Sequence, residues 1–250
     1  MDNWKDISNT LKTMLRLKSE PVAYKRLEKA EELGKIANVF KVDHFFTLCQ
    51  AQFMARVNGL TVGITAEDKI NRRCARLFGV LEANDDSMKQ EASMLSKTWF
   101  SSLEEALRQQ KETPRIPAGE AIVLSPLSKG KIEPEVVLIY GNPAQIMMIM
   151  CGLQKDRYER FHFYFIGEGA CADSLAECFV NRKPALSIPC YGERALGQVA
   201  DDEISIALPP EEVKRAISGM EILAKIGFRY PITYIGGLAD PSPMLGQIYD

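Results

Sequence analysis

The stretch Pro134-Glu135-Val136-Val137-Leu138-Ile139-Tyr140-Gly141-Asn142-Pro143-Ala144-Gln145-Ile146-Met147 decides the fold class. Val136 to Tyr140 is a short unbroken apolar run between turn residues, which reads as a buried strand. Pro143 then stands at the first position of a helix running to about Gln154, where a missing N–H is harmless and a fixed φ suits the helix. Upstream, Ala121 to Leu127 reads as a second buried strand, separated from the first by the turn Lys129-Gly130-Lys131-Ile132-Glu133-Pro134.

The same alternation extends along the chain. Trp4, Ile7, Leu11, Met14 and Leu15 fall at helical spacing in a helix from Asn3 to Leu17. A short strand follows from Pro21 to Leu27. His44 to Asn58 reads as a helix stopped by Gly59, Thr61 to Thr65 as a strand, and Asp68 to Phe78 as a helix stopped by Gly79. Asp85 to Lys111 carries two more helices, joined near Lys97 to Ser101. Further strands are predicted at Phe161 to Ile166, Ala185 to Ile188 and Glu203 to Leu208, with helices at Asp173 to Val180 and Pro210 to Ile226. From Tyr230 the chain is rich in Pro and Gly, which suits a tail that wraps over the body or covers a partner. The expectation is an α/β fold, with a mixed sheet flanked by helices on both sides and one compact domain over residues 1–250. A weak internal repeat is legible. Each half places a thiol-bearing helix, a β segment, a Cys-Ala pair (Cys74-Ala75; Cys171-Ala172) and a helix in that order. Duplication and chance both remain open. Duplication would make two pseudo-repeated halves and bring Cys74 and Cys171 to matching places near the centre.

At 250 residues the chain is long enough for a large core, and 46% hydrophobic with 26% charged residues is ordinary for a globular protein. A formal net charge of −2 supplies no basic field for nucleic acid. No apolar run reaches the ~20 residues of a membrane span. The start, Met1-Asp2-Asn3-Trp4-Lys5, lacks the apolar centre of a signal peptide. The expectation is a cytoplasmic location, where six cysteines are reduced, metal-bound or catalytic rather than disulfide-paired. With only His44 and His162 present, a histidine-rich metal site is excluded.

Chemistry is concentrated in two stretches, Gly167-Glu168-Gly169-Ala170-Cys171 and Ser187-Ile188-Pro189-Cys190-Tyr191-Gly192-Glu193-Arg194. In each, a thiol sits where a strand is expected to give way to a helix. Free N–H groups there are expected to lower its pKa and favour the thiolate that binds metal or attacks an electrophile. Arg72, Arg73, Arg76 and Arg194 flank cysteines and would stabilise thiolates or an anionic cluster. Against this stands the plain alternative that free cysteines are small core residues. That alternative suits Cys151, inside Met147-Met148-Ile149-Met150-Cys151, and Cys178 on its helix. No C-x-x-C pair, G-x-S-x-G elbow or H-E-x-x-H motif occurs. Arg194 could hold a carboxylate or phosphate in a fork, with Gly192 letting the backbone approach. It could equally pair with Asp201, Asp202 or Glu203. Of Arg72 and Arg73, only one can face inward.

Taken in order, several stretches resemble the DUF169 family of uncharacterised proteins. They are Pro21-Val22-Ala23-Tyr24-Lys25, Cys49 before Ala51 and Gly59, and Cys74 leading to Leu77-Phe78-Gly79. Pro134-Glu135-Val136-Val137-Leu138 with Asn142-Pro143-Ala144-Gln145-Ile146-Met147, Cys171, Cys190-Tyr191-Gly192-Glu193-Arg194, Asp202-Glu203 and Leu208-Pro209 complete the set. The resemblance implies a choice among the thiols, since Cys49, Cys74, Cys171 and Cys190 fall on the pattern and Cys151 and Cys178 outside it. The chain departs from the pattern at Lys183-Pro184-Ala185 and in the length of its 85–111 helical region. Four such thiolates could hold a [4Fe-4S] iron–sulfur cluster, brought together by the fold. The expected function is a redox or metal protein acting on a small anionic molecule near Arg194, Gly192 and Arg73, with a redox partner protein and self-association as open partners. A cofactor-free module binding a small carboxylate is the alternative. A thiol enzyme using Cys190 is a third, without a nearby histidine in sequence.

Overall fold

The structure is a computed structural model, and it describes residues 3–242. A seven-stranded mixed sheet runs through the molecule in the order β2-β3-β4-β1-β5-β7-β6. Its strands are β1 (Val22–Leu27), β2 (Val39–Phe40), β3 (Thr61–Thr65), β4 (Ala121–Pro126), β5 (Val136–Gly141), β6 (Ala185–Ser187) and β7 (Ile204–Leu208). Only β2 and β3 pair in parallel, and every other neighbour is antiparallel. The two buried strands of the opening stretch do not pair with each other. β1 lies between them, with Tyr24 opposite both Leu124 and Val136.

Each central strand feeds two cores, which is why β5 is apolar at every position. Val136, Leu138 and Tyr140 point to one face, Val137 and Ile139 to the other. The second face is covered by α1 (Trp4–Leu15), α6 (Pro143–Gln154) and α9 (Pro210–Lys225), through Leu11, Ile149, Leu153, Val213 and Met220. The first face is covered by α2 (Leu48–Arg56), α3 (Arg72–Leu77) and a helix entered at Ala170. That helix passes through a π-helical stretch, Ala172–Ala176, into α7 (Glu177–Asn181). A satellite cluster joins α4 (Asp85–Leu95) to α5 (Leu103–Glu112) through Ala92, Leu95 and Ala106. A one-turn helix, α8 (Tyr191–Ala195), links β6 to β7.

Two helices begin later than their apolar periodicity suggests. α2 starts at Leu48 because Thr47 and Gln50 form a reciprocal capping box: the Gln50 N–H donates to Thr47 Oγ1 at 3.4 Å and the Thr47 N–H to Gln50 Oε1 at 2.9 Å. α3 starts at Arg72 because Asn71 Oδ1 accepts from the N–H groups of Arg73 and Cys74. Residues 161–166, predicted as a strand, have no regular secondary structure and belong to no sheet. Of the tail expected from Tyr230, Tyr230 itself packs on the body, residues 231–242 are almost all exposed, and residues 243–250 lie outside the described residues. The Tyr230 ring packs on the second core, and its hydroxyl accepts from Asn142 Nδ2 at 3.2 Å.

Candidate functional site

The late helix starts place both Cys49 and Cys74 in the first turn of their helices, rather than in mid-helix. Cys171 is likewise in the first turn after Gly169, whose carbonyl accepts from the Ala172 N–H at 2.8 Å. Cys190 is the residue immediately before α8. The fold brings these four segments together on the first face of the sheet. Cys171 lies in hydrogen-bonding contact with Cys49 and feels the charge of Cys190. Cys74 is within electrostatic reach of both Cys49 and Cys190. The place where a side chain on Gly192 would begin is 3.8 Å from Cys190 Sγ and 3.9 Å from Cys49 Sγ. Gly197 allows the loop after α8 to press on α2, since a Cβ there would stand 3.1 Å from the Cys49 carbonyl oxygen. Cys178 is buried in the first core and Cys151 touches Met147 Sδ at 3.4 Å.

The thiol chemistry differs from the expectation of lowered pKa values. Burial pushes Cys74 up to about 12, with the Leu48 N–H and Arg73 pulling the other way. Contact with Cys49 holds Cys171 well above its ordinary value, with burial and the charges of Glu193 and Cys190 adding to it. Burial also raises Cys190, although the N–H groups of Glu193 and Ala170 both favour its thiolate. A first-turn N–H supplies only a partial charge, and it loses here to desolvation and to crowding by other thiols. For Cys74, Cys171 and Cys190 the free thiolate is therefore disfavoured.

Behind the thiols lies a buried polar network centred on Tyr140. Its hydroxyl hydrogen-bonds Glu193 Oε1 at 2.8 Å and Gln52 Oε1 at 3.2 Å. Arg56 stacks 4.7 Å from the Tyr140 ring centre and donates to the carbonyls of Gly197 and Gln198. Arg56 also faces Glu203 at 3.5 Å, so the end of α2 is tied to the loop behind Cys190. Glu193 is fully buried with Oε2 unpartnered, and desolvation raises its pKa to about 7 against the pull of Tyr140 and Arg56. Sequence reading missed Gln52, Arg56 and Tyr140 as parts of this site. The available signal was a charged residue at the end of an apolar helix and a tyrosine ending an all-apolar strand.

The two arginines expected to bind an anion are differently placed. Arg73 Nη1 donates to Glu168 Oε2 at 2.7 Å and Nη2 to Glu168 Oε1, which also accepts from Gln109 Nε2 at 2.7 Å. This pair clamps α3 to the loop entering Cys171. Arg194 donates to the Ala200 carbonyl at 2.6 Å and lies 3.8 Å from Asp201, so it secures its own loop. His44 faces Asp43 at 3.1 Å, and His162 lines a cleft described below.

With the thiol site in view, comparison with known proteins assigns the family. The sequence pattern of DUF169, described as an uncharacterised ArCR family, matches residues 10–219. The chain belongs to the DUF169 family. Cys49, Cys74, Cys171 and Cys190 of this DUF169 protein all lie inside the matched region. It is also 26% identical over 102 residues to "Uncharacterized protein MJ0308" of Methanocaldococcus jannaschii, a stretch covering 40% of this chain and 44% of that protein. No solved structure matches the chain significantly. Among the described residues, no helix is long and apolar enough to cross a membrane. Also among the described residues, no group of three or more His, Cys, Asp or Glu side chains is placed to hold a metal ion.

Proposed function

We propose that Cys49, Cys74, Cys171 and Cys190 hold an iron–sulfur cluster of the four-iron type, and that the protein is a redox protein. The observation that supports this reading is that Cys49 and Cys190 flank Gly192, while Cys171 and Cys74, from two further segments, lie within electrostatic reach of both. The donor set suits the group: such clusters take thiolates, and four irons spread their ligands over a wider tetrahedron than one ion does. When bound, a cluster supplies one-electron exchange. The chain's own contribution is to stabilise negative charge on sulfur, through the N–H groups of Leu48, Glu193 and Ala170 and the Arg73 guanidinium. Ile188 and Tyr191, 55% and 74% exposed on either side of Cys190, give a redox partner an apolar face to approach.

The raised thiol pKa values argue against Cys190 acting alone as a nucleophile, since the thiolate is the attacking form. The carboxylate-binding alternative loses its anchor where Arg194 is engaged by Ala200 and Asp201. The deciding experiment is iron and acid-labile sulfide analysis, with electron paramagnetic resonance, on protein purified or reconstituted without oxygen. We expect about four irons per chain. Cys190→Ser and Cys74→Ser should lower iron content while Cys151→Ser leaves it unchanged. Protein that takes up no iron on reconstitution, or an equal loss in Cys151→Ser, would sink the reading.

A further inference from the structure

A cleft of about 430 Å³ opens between the unpaired segment 159–164 and the edge strand β6, with one wall on the helix that starts at Ala170. That volume suits a small organic ligand. Its floor and walls carry charges of both signs, but the two signs are in different states. Each carboxylate has a partner within the protein, a cation for Glu159 and a neutral donor for Asp173 and Glu177. Glu159 lies 3.4 Å from Arg157 and 3.8 Å from Arg215. Asp173 Oδ2 accepts from the Ile166 N–H at 2.7 Å, and Glu177 Oε1 accepts from Asn181 Nδ2 at 2.7 Å. The permanent cations are not engaged: Arg160 and Lys183 line the cleft with no ion-pair or hydrogen-bond partner among the described residues. The same wall carries an aromatic platform. Phe161 and Phe163 stack with ring centres 5.9 Å apart and planes 9° from parallel.

We propose that this cleft binds a flat organic anion. Its ring extends the Phe161–Phe163 stack, and its carboxylate or phosphate sits toward Arg160 and Lys183. An offset ring gains stacking energy from such a platform, and an unpaired guanidinium is the group best shaped for either anion. Asp173, in the cleft wall, is two residues from Cys171, so the cleft and the thiol site share one turn of helix. The idea that this anion is the redox substrate rests on the cluster reading, whereas the binding itself does not.

Binding is tested on the full-length, metal-free protein by fluorescence titration with three probes: 2-naphthoate, 2-naphthyl phosphate and the uncharged 2-naphthamide. At least one anion should saturate and bind tenfold or more tightly than the amide, and the better of the two identifies the headgroup. The double variant Arg160→Ala/Lys183→Ala should lose tenfold or more in affinity for that anion. Its affinity for the amide and its circular dichroism should be unchanged. The proposal is overturned if neither anion saturates by about 5 mM, if the amide binds as tightly as both anions, or if the double variant binds like the parent. Iron analysis of the same preparations reports separately on the thiol site, so either reading can fail alone.

Discussion

Glu193 is a carboxyl whose chemistry departs far from that of its exposed counterpart. It sits at 0% exposure with one oxygen held by Tyr140 and the other unpartnered, and desolvation lifts its pKa from 4.5 to about 7. A carboxyl whose pKa is higher folded than unfolded contributes stability that is fully present below the unfolded value. That stability is lost as pH rises through the folded value. The metal-free protein should therefore lose stability between about pH 4.5 and 7, by at most about 3 kcal/mol from this group. Asp173, raised by burial from 3.8 to about 6, acts in the same direction over a lower window. Glu193→Gln keeps the shape and an acceptor for Tyr140, so urea midpoints should change much less between pH 5 and 7.5 than in the parent. Equal pH slopes in the two proteins would mean that Glu193 is ionised in the fold at little cost. None of this was legible in Cys190-Tyr191-Gly192-Glu193-Arg194, where Glu193 reads as a surface charge opening a helix. Burial of that turn under α2 is a property of the assembled molecule.

At the scale of elements, α6 and α9 pack through glycines. A Cβ on Gly219 would stand 1.9 Å from the Gly152 carbonyl oxygen, and one on Gly152 would stand 2.3 Å from the Ala216 carbonyl oxygen. These obstacles are backbone, so the helices would have to separate along their whole contact. Gly219→Ala should cost about 3 kcal/mol, whereas Gly236→Ala, with nothing within 4 Å of its added methyl, should be near neutral. Guanidinium denaturation of the two variants makes the comparison, and matching midpoints would refute the tight crossing. The elements themselves were largely legible. Pro143 to Gln154 is a helix with the expected bounds because Asn142 and Gln145 cap each other and Pro143 suits the first position. The segment 161–166 was misread for a specific reason. Its Phe-His-Phe-Tyr-Phe-Ile sequence has strand character, and Phe161 and Phe163 do share a side. Yet no neighbouring strand supplies a hydrogen-bond ladder, and β6, three residues long, stands across the cleft.

At the scale of the whole molecule, the four thiols join segments that enclose most of the chain between Cys49 and Cys190. A cluster bound only by the folded form would therefore act as a staple across α2, α3, the Ala170 helix and the α8 loop. Reconstituted protein should resist unfolding by about 3 kcal/mol more than metal-free protein, roughly 10 °C in Tm. Differential scanning calorimetry without oxygen measures the shift. Equal Tm values at full iron content would mean that the metal sits on a surface the fold does not need.

What the sequence by itself determined is the layering. Strands apolar at every position demand cover on both faces, and helices at 3.6-residue spacing with caps supply it, all through interactions within a few residues. What only the tertiary structure decided is which thiols meet and in what state. Cys49, Cys74, Cys171 and Cys190 share no short spacing, so their grouping comes from sheet order and from where Thr47, Asn71 and Gly169 start their helices. The sign of the pKa shifts at Cys74, Cys171 and Cys190 follows from the same assembly. A local N–H favours the thiolate in any context, but desolvation and the neighbouring thiols exist only once the four segments have been folded together.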